Sequence, residues 1–253
     1  MDIMRRMFLV VLLTVSAGVL CGCGKRVSDN ERLNTAVAEL KNGNINNCSK
    51  QLDAVLKKNP DNSSARMLQA LIHEKNGEDD KALDMVTQVV KDYPDSFAAL
   101  YTQGRLLAKS LPRRPLAYDA LKKAHELQPQ DVPTLVLLCN IGTALNYRNV
   151  YVYLNALQRH REFAGNNVLH YQLGKCHLNN GRRPQALAAF KTALRGCRDA
   201  ALIFNVARAI DEANLDRKFA VNLYNLYLKY PVQRGKNRAA VAYAGQRVRV
   251  LGR

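Results

Sequence analysis

The sequence predicts an all-α protein assembled from repeated helical hairpins, and three observations carry that prediction. Pro60, Pro94, Pro129 and Pro231 stand 34, 35 and 102 residues apart, so four prolines keep one period of about 34. Ala36, Ala70, Gly104, Cys139, Gly174 and Ala207 keep the same period, and each lies in an apolar stretch with helical spacing. After each such stretch comes a second apolar stretch, and Gly43, Gly77, Gly181 and Asn214 mark four of the turns between them. A small side chain recurring at one position lets a neighbouring helix approach closely. One hairpin alone cannot bury both of its apolar faces, whereas stacked hairpins share a continuous core.

The first residues read as an address rather than as part of the array. Arg5 and Arg6 precede an apolar stretch from Met7 to Leu20, the pattern of an export signal over 1–22. Fourteen apolar residues are short of the roughly 18 or more that a spanning helix needs. Leu20-Cys21-Gly22-Cys23 resembles the bacterial lipoprotein box. That resemblance implies that Cys23 becomes the lipidated, palmitate-bearing N-terminus after cleavage; a plainly cleaved signal is the alternative. Acyl chains contribute about 0.8 kcal/mol of membrane affinity per buried methylene, so several of them hold a protein durably on a bilayer. Residues 23–30 then form a short polar tether. Gly24, in place of an Asp beside the lipid-bearing cysteine, favours the outer over the inner membrane, with the body facing the periplasm.

The hairpins follow in order. Second helices carry Cys48, Leu52 and Val55; Ala82, Val86 and Val89; Ala117, Leu121 and Ala124; and Ala186, Phe190 and Ala193, each set on one helix face. Leu173-Gly174, Gly181, Ala186-Leu187, Phe190 and Ala193-Leu194 bring out a specific likeness: the segments resemble tetratricopeptide repeats. The resemblance covers 31–231 and implies a right-handed α-solenoid of about six hairpins, near 29–62, 63–96, 97–131, 132–166, 167–199 and 200–233, followed by a basic capping helix and tail over 234–253. The sequence departs from the family pattern in places. No repeat has a Trp, the fourth lacks both the proline and the turn glycine, and the sixth is shifted by one residue near Phe219 and Ala220. Pro112, Arg113, Arg114 and Pro115 lengthen the turn of the third hairpin into a basic knuckle.

Signs of catalysis are missing from the sequence. No phosphate-binding Gly-rich loop, nucleophile elbow or His-Glu-x-x-His helix occurs, and neither an enzymatic activity nor a cofactor is expected. His170, Cys176 and His177 offer metal-ligating atoms on one helix, yet their register is that of residues packed inside a hairpin, so core histidines are expected and no metal. Cys48, Cys139, Cys176 and Cys197 are expected as free thiols, with Cys139 and Cys176 the one pair worth testing for a bridge.

Charge divides the chain. Lys and Arg number 38 against 21 Asp and Glu, a formal charge of +17. Residues 23–130 hold 17 against 14, while 131–253 hold 19 against 6. Behind an export signal this asymmetry points to anionic headgroups, acidic polymers or an acidic partner rather than to nucleic acid. In the resembled family the fifth and ninth residues of each first helix tend to face the concave side. Here the groove candidates at those positions include Met67, Tyr101 with Arg105, Asn140, Tyr171 with Lys175, and Phe204 with Arg208. Aromatic area beside a cation suits a peptide bearing carboxylates; mutual stacking of the aromatics is the alternative. The expectation is a non-catalytic, lipid-anchored envelope scaffold that docks a protein or peptide partner, with binding of anionic envelope glycan or phospholipid by the basic C-terminal half as the second reading.

Overall fold

A computed structural model describes residues 27–230 and 237–252. The export signal, Cys23, the first part of the tether and Pro231 lie outside the described residues. Thirteen α-helices and no strands occupy the described chain. They form six successive hairpins: α1 (Asp29–Lys41) with α2 (Ile45–Leu56), α3 (Ser63–Lys75) with α4 (Asp79–Asp92), α5 (Phe97–Ala108) with α6 (Arg114–Leu127), α7 (Val132–Ala144) with α8 (Tyr151–Gln158), α9 (Asn167–Asn179) with α10 (Arg183–Ala193), and α11 (Ala200–Glu212) with α12 (Arg217–Lys229). A last helix, α13 (Arg238–Leu251), packs on α12. The chain divides into two units, one reaching to Leu137 and the other beginning at Leu138.

Local chemistry sets the helix boundaries. First helices start on side-chain caps: Ser28, Asn62, Ser96, Asn166 and Asp199 each accept a backbone N–H from the first turn. Ser28 and Glu31 complete a capping box. Within the hairpins the chain reverses at a left-handed residue, which is Gly43, Gly77 or Gly181 where a glycine is present. In the fourth and sixth hairpins Asn146 (φ 56°) and Asn214 (φ 47°) take that place, because an asparagine tolerates left-handed backbone better than other side chains do. This is how the fourth hairpin turns without the family glycine.

The third hairpin turns differently. A 3-10 turn over Leu111–Arg113 runs directly into α6, with Pro115 in its first turn, where a missing N–H costs nothing. The knuckle is exposed, and Arg113 on it pairs with Asp80 at 2.8 Å.

In the N-terminal unit one core joins Leu33, Ala36, Leu40, Cys48, Leu52 and Leu68, and a second joins Met67, Ala70, Val86, Val89, Ala99 and Leu106. Close approach is built into Gly104, where a Cβ would come within 2.5 Å of Leu121. The C-terminal unit has a core of Phe190, Ile203, Val206, Ile210, Leu223 and Tyr224, reaching Ala244 of α13. A Cβ at Gly174 would collide with the Phe190 ring, so the recurring small residue is a packing requirement of the hairpin.

Candidate functional site

In the C-terminal unit the first helices α9 and α11 lie side by side and leave a cleft of about 350 Å3 between them. Tyr171, Lys175 and Asn179 enter it from α9, and Asn205, Arg208 and Glu212 from α11. Each set recurs at intervals of three or four residues, the spacing that puts side chains on one helix face. Arg208 is half exposed and pairs with Glu212 one turn along at a loose 3.5 Å. Tyr171 is half-buried, with its ring 5.9 Å from that of Phe190. Burial raises the pKa of its hydroxyl and the nearby Arg208 draws it back, so at neutral pH the group is a phenol able to donate a hydrogen bond. The cleft thus presents one ammonium, one guanidinium, a phenol, two asparagine amides and the Glu212 carboxylate around an apolar floor of Leu178 and Ala209. That set suits a carboxylate-bearing side chain. It contains no nucleophile paired with a base.

The remaining groove positions fare differently. Met67 and Tyr101 are each 6% exposed and belong to the packing of the N-terminal unit. Arg105 is held by Glu74 of the preceding hairpin, with Nη2 on Oε2 at 2.5 Å and Nη1 on Oε1. Lys109 adds a third donor to Glu74 at 2.9 Å and reaches Asp79 at 2.6 Å. Burial alone would raise the Glu74 carboxyl, but the hydrogen bonds and charges of Arg105 and Lys109 outweigh it and hold the pKa below the ordinary range. Asn140 is exposed and accepts from the Gln172 amide at 2.9 Å. Phe204 stacks into an aromatic cluster with Tyr227 at 5.0 Å and Tyr243 at 6.0 Å. The structure therefore brings Tyr171, Lys175 and Arg208 together in one cleft. Met67, Tyr101, Arg105 and Phe204 it commits to packing.

Of the reactive-looking side chains, His170, Cys48, Cys139 and Cys176 are buried, while His177 and Cys197 are partly exposed. His170 is buried, with Nε2 3.1 Å from the Ala164 carbonyl. Burial, and secondarily Arg182, lowers the pKa of His177. No cluster of three potential metal ligands occurs among the described residues. Cys48, Cys139, Cys176 and Cys197 are unbridged, and burial, with neighbouring Cys176 adding to it, pushes the Cys139 thiol up to about 12.

Sequence reading did not find the polar locks at hairpin junctions. Asp211, nearly buried, receives Arg247 of α13 through two 2.7 Å bonds and the Tyr224 hydroxyl at 3.1 Å. Arg183 donates to the carbonyls of Ala213 and Asn214 that end α11, and Arg217, one repeat later, donates to those of Leu251 and Val250 in α13. The matching contacts show that α13 stands where the first helix of a seventh hairpin would stand. The signal was present in the 34-residue spacing of Arg183 and Arg217.

Helical hairpins repeated at this period make the described chain an all-α repeat array. Residues 33–95 match the tetratricopeptide repeat family. Solved structures agree in fold. The structure of YrrB, described as a TPR protein with an unusual peptide-binding site, has 15% identity and a TM-score of 0.62, covering 77% of this chain and 97% of its own. MamA from AMB-1 has 17% identity and a TM-score of 0.56 over 69% and 95% of the two chains. PilF of Pseudomonas aeruginosa has 15% identity and a TM-score of 0.53 over 81% and 93%. No curated protein matches the chain by sequence. Among the described residues no helix is long and apolar enough to cross a membrane.

Proposed function

We propose that the protein is a non-catalytic, lipid-anchored scaffold of the bacterial envelope, facing the periplasm from the outer membrane, which docks an acidic segment of a protein or peptide partner in the cleft between α9 and α11. The observation that carries the docking site is the contrast between two register-equivalent arginines. Arg105 is enclosed by Glu74, whereas Arg208, with Lys175 beside it in the cleft, is held only loosely by Glu212. A carboxylate arriving at Lys175 and Arg208 displaces one weak contact and gains charge-assisted hydrogen bonds, with Tyr171 supplying contact area and a donor. The peptide-binding site named for the structurally similar YrrB supports a peptide as the occupant. The anchor reading rests on Leu20-Cys21-Gly22-Cys23 behind an apolar stretch.

Photo-crosslinking from the Tyr171 position in native membranes tests the docking site. A partner captured by the full chain and lost in Lys175→Glu/Arg208→Glu, but retained in Arg105→Gln, is the expected outcome; equal capture by all three overturns it. Intact mass of the mature protein tests the anchor: a chain starting at Cys23 and carrying acyl groups is expected, and an unmodified mature chain overturns that part.

A further inference from the structure

The cations of the C-terminal unit fall on two opposite edges, and the two edges are unlike. Antiparallel packing of α9 with α10 and of α11 with α12, and the packing of α12 on α13, put the turns at 159–166 and 195–199, the end of α12 and the start of α13 on one edge. The turns at 180–182 and 213–216 lie on the other. On that second edge Arg182 lies 5.2 Å from the Tyr151 ring centroid, Arg183 and Arg217 hold helix-end carbonyls, and Arg247 holds Asp211. Those side chains are committed to the fold.

On the first edge stand Arg159, Arg161, Arg195, Arg198, Lys229 and Arg238, all exposed, and none of them makes an ion pair among the described residues. The carboxylates nearby are Glu162 and Asp199, and Asp199 is engaged in capping α11 through Ala201 N and Leu202 N. Helix ends account for Arg159, the C-cap of α8, and Lys229, in the last turn of α12, but not for Arg198 and Arg238. A positive side chain is favoured at a helix C-terminus and disfavoured at an N-terminus, yet Arg198 immediately precedes the cap of α11 and Arg238 is the first residue of α13. Val168 at the start of α9 and Leu228 at the end of α12 add exposed apolar side chains to the same edge. The corresponding edge of the N-terminal unit is balanced: Lys58 meets Asp29, and Arg66 meets Asp61 and Asp92.

We infer that this first-helix N-terminal edge of the C-terminal unit is a docking surface for an anionic phospholipid bilayer. Guanidinium and ammonium groups left without protein partners meet lipid phosphates, and Val168 and Leu228 reach the boundary between headgroup and acyl chain. The surface is separate from the cleft of Tyr171, Lys175 and Arg208 and does not depend on its occupant. It narrows the basic half of the chain to one edge, and it leaves Arg182 and Arg183 out of lipid contact.

Cys197 sits in the 195–199 turn, partly exposed, and reports on the edge regardless of how the N-terminus is attached. The full chain is bound to vesicles of phosphatidylcholine with or without phosphatidylglycerol, and the rate of Cys197 modification by an uncharged polyethylene-glycol maleimide is read by mass spectrometry of its peptide. Modification is expected to be about tenfold slower on the anionic vesicles, with the difference vanishing at high salt. In Arg159→Glu/Arg195→Glu/Arg198→Glu the two vesicle types are expected to give the same rate, with helicity checked by circular dichroism. The Gln triple variant serves in its place if the Glu variant loses helicity. Equal rates in the unaltered chain overturn the inference. So does a difference that survives the triple substitution, and so does equal protection by soluble polyphosphate on neutral vesicles, which assigns the edge to a polyanion instead.

Discussion

The two units join their hairpins by different chemistry. In the N-terminal unit the junctions are ionic: Arg66 with Asp61, Arg105 and Lys109 with Glu74, Lys109 with Asp79, and Arg113 with Asp80 link one hairpin to the next, while Lys58 with Asp29 and Arg66 with Asp92 close the first and second hairpins on themselves. In the C-terminal unit they are made of amides, carbonyls and rings, with one ion pair, Arg247 on Asp211, between α11 and α13. Gln172 meets Asn140, Asn179 meets Asn146, Asn180 meets the Arg148 carbonyl, and Phe204 gathers Tyr224, Tyr227 and Tyr243. The first arrangement neutralises its cations internally, while the second leaves most of them over. Nearly equal numbers of basic residues in the two halves therefore have unequal consequences, because what differs is the supply of carboxylates.

The sharpest break in this comparison comes from packing. Phe190→Ala empties a fully buried ring site against Gly174 and is expected to cost about 3–5 kcal/mol. Hydrogen exchange should show protection lost in α9 to α12 and retained in α1 to α4; uniform loss would mean that the units unfold as one. Asp211→Ala follows. Removing one partner of a nearly buried ion pair leaves Arg247 and the Tyr224 hydroxyl without their acceptor, a loss of about 2–4 kcal/mol, read as early exchange of α13.

Glu74→Gln weakens the ionic junction by about 1–3 kcal/mol, read as faster exchange of α3 and α5. The junction also carries a pH dependence. The folded-state pKa of Glu74 is depressed, so its contribution is present above the ordinary carboxyl value of 4.5 and is lost as pH falls through the lower folded value. The N-terminal unit of the unaltered chain should therefore lose protection in acid, and the Glu74→Gln chain should lose less. Arg113→Ala, at an exposed pair on the knuckle, is the smallest effect, at most about 1 kcal/mol in thermal unfolding. A larger loss would show that the knuckle holds the third hairpin in place.

What was legible in the sequence follows from which forces are periodic. Small residues at 36, 70, 104, 139, 174 and 207 recur because every hairpin faces the same steric demand, and that demand can be read without coordinates. The grouping of Tyr171, Lys175 and Arg208 was legible for the same reason, since positions four apart on a first helix share a face. Burial of Met67 and Tyr101 was not, because register gives a direction and says nothing about how deeply a neighbouring helix covers it. Sequestration of Arg105 was hidden too. It depends on Glu74, which is 31 residues away and has no equivalent acid before Arg208, and irregular features of this kind leave no period to detect. The Asp211 lock joins residues 36 apart and occurs at the last junction.

The helix α13 packs on the sixth hairpin as a first helix does, held at its far end by Arg217 on the Leu251 carbonyl and near its middle by Arg247 on Asp211. Arg183 makes the matching contact to α11 one repeat earlier. The same rung thus occurs twice in succession, so copying one 34-residue unit would add a hairpin without any new kind of contact having to be invented.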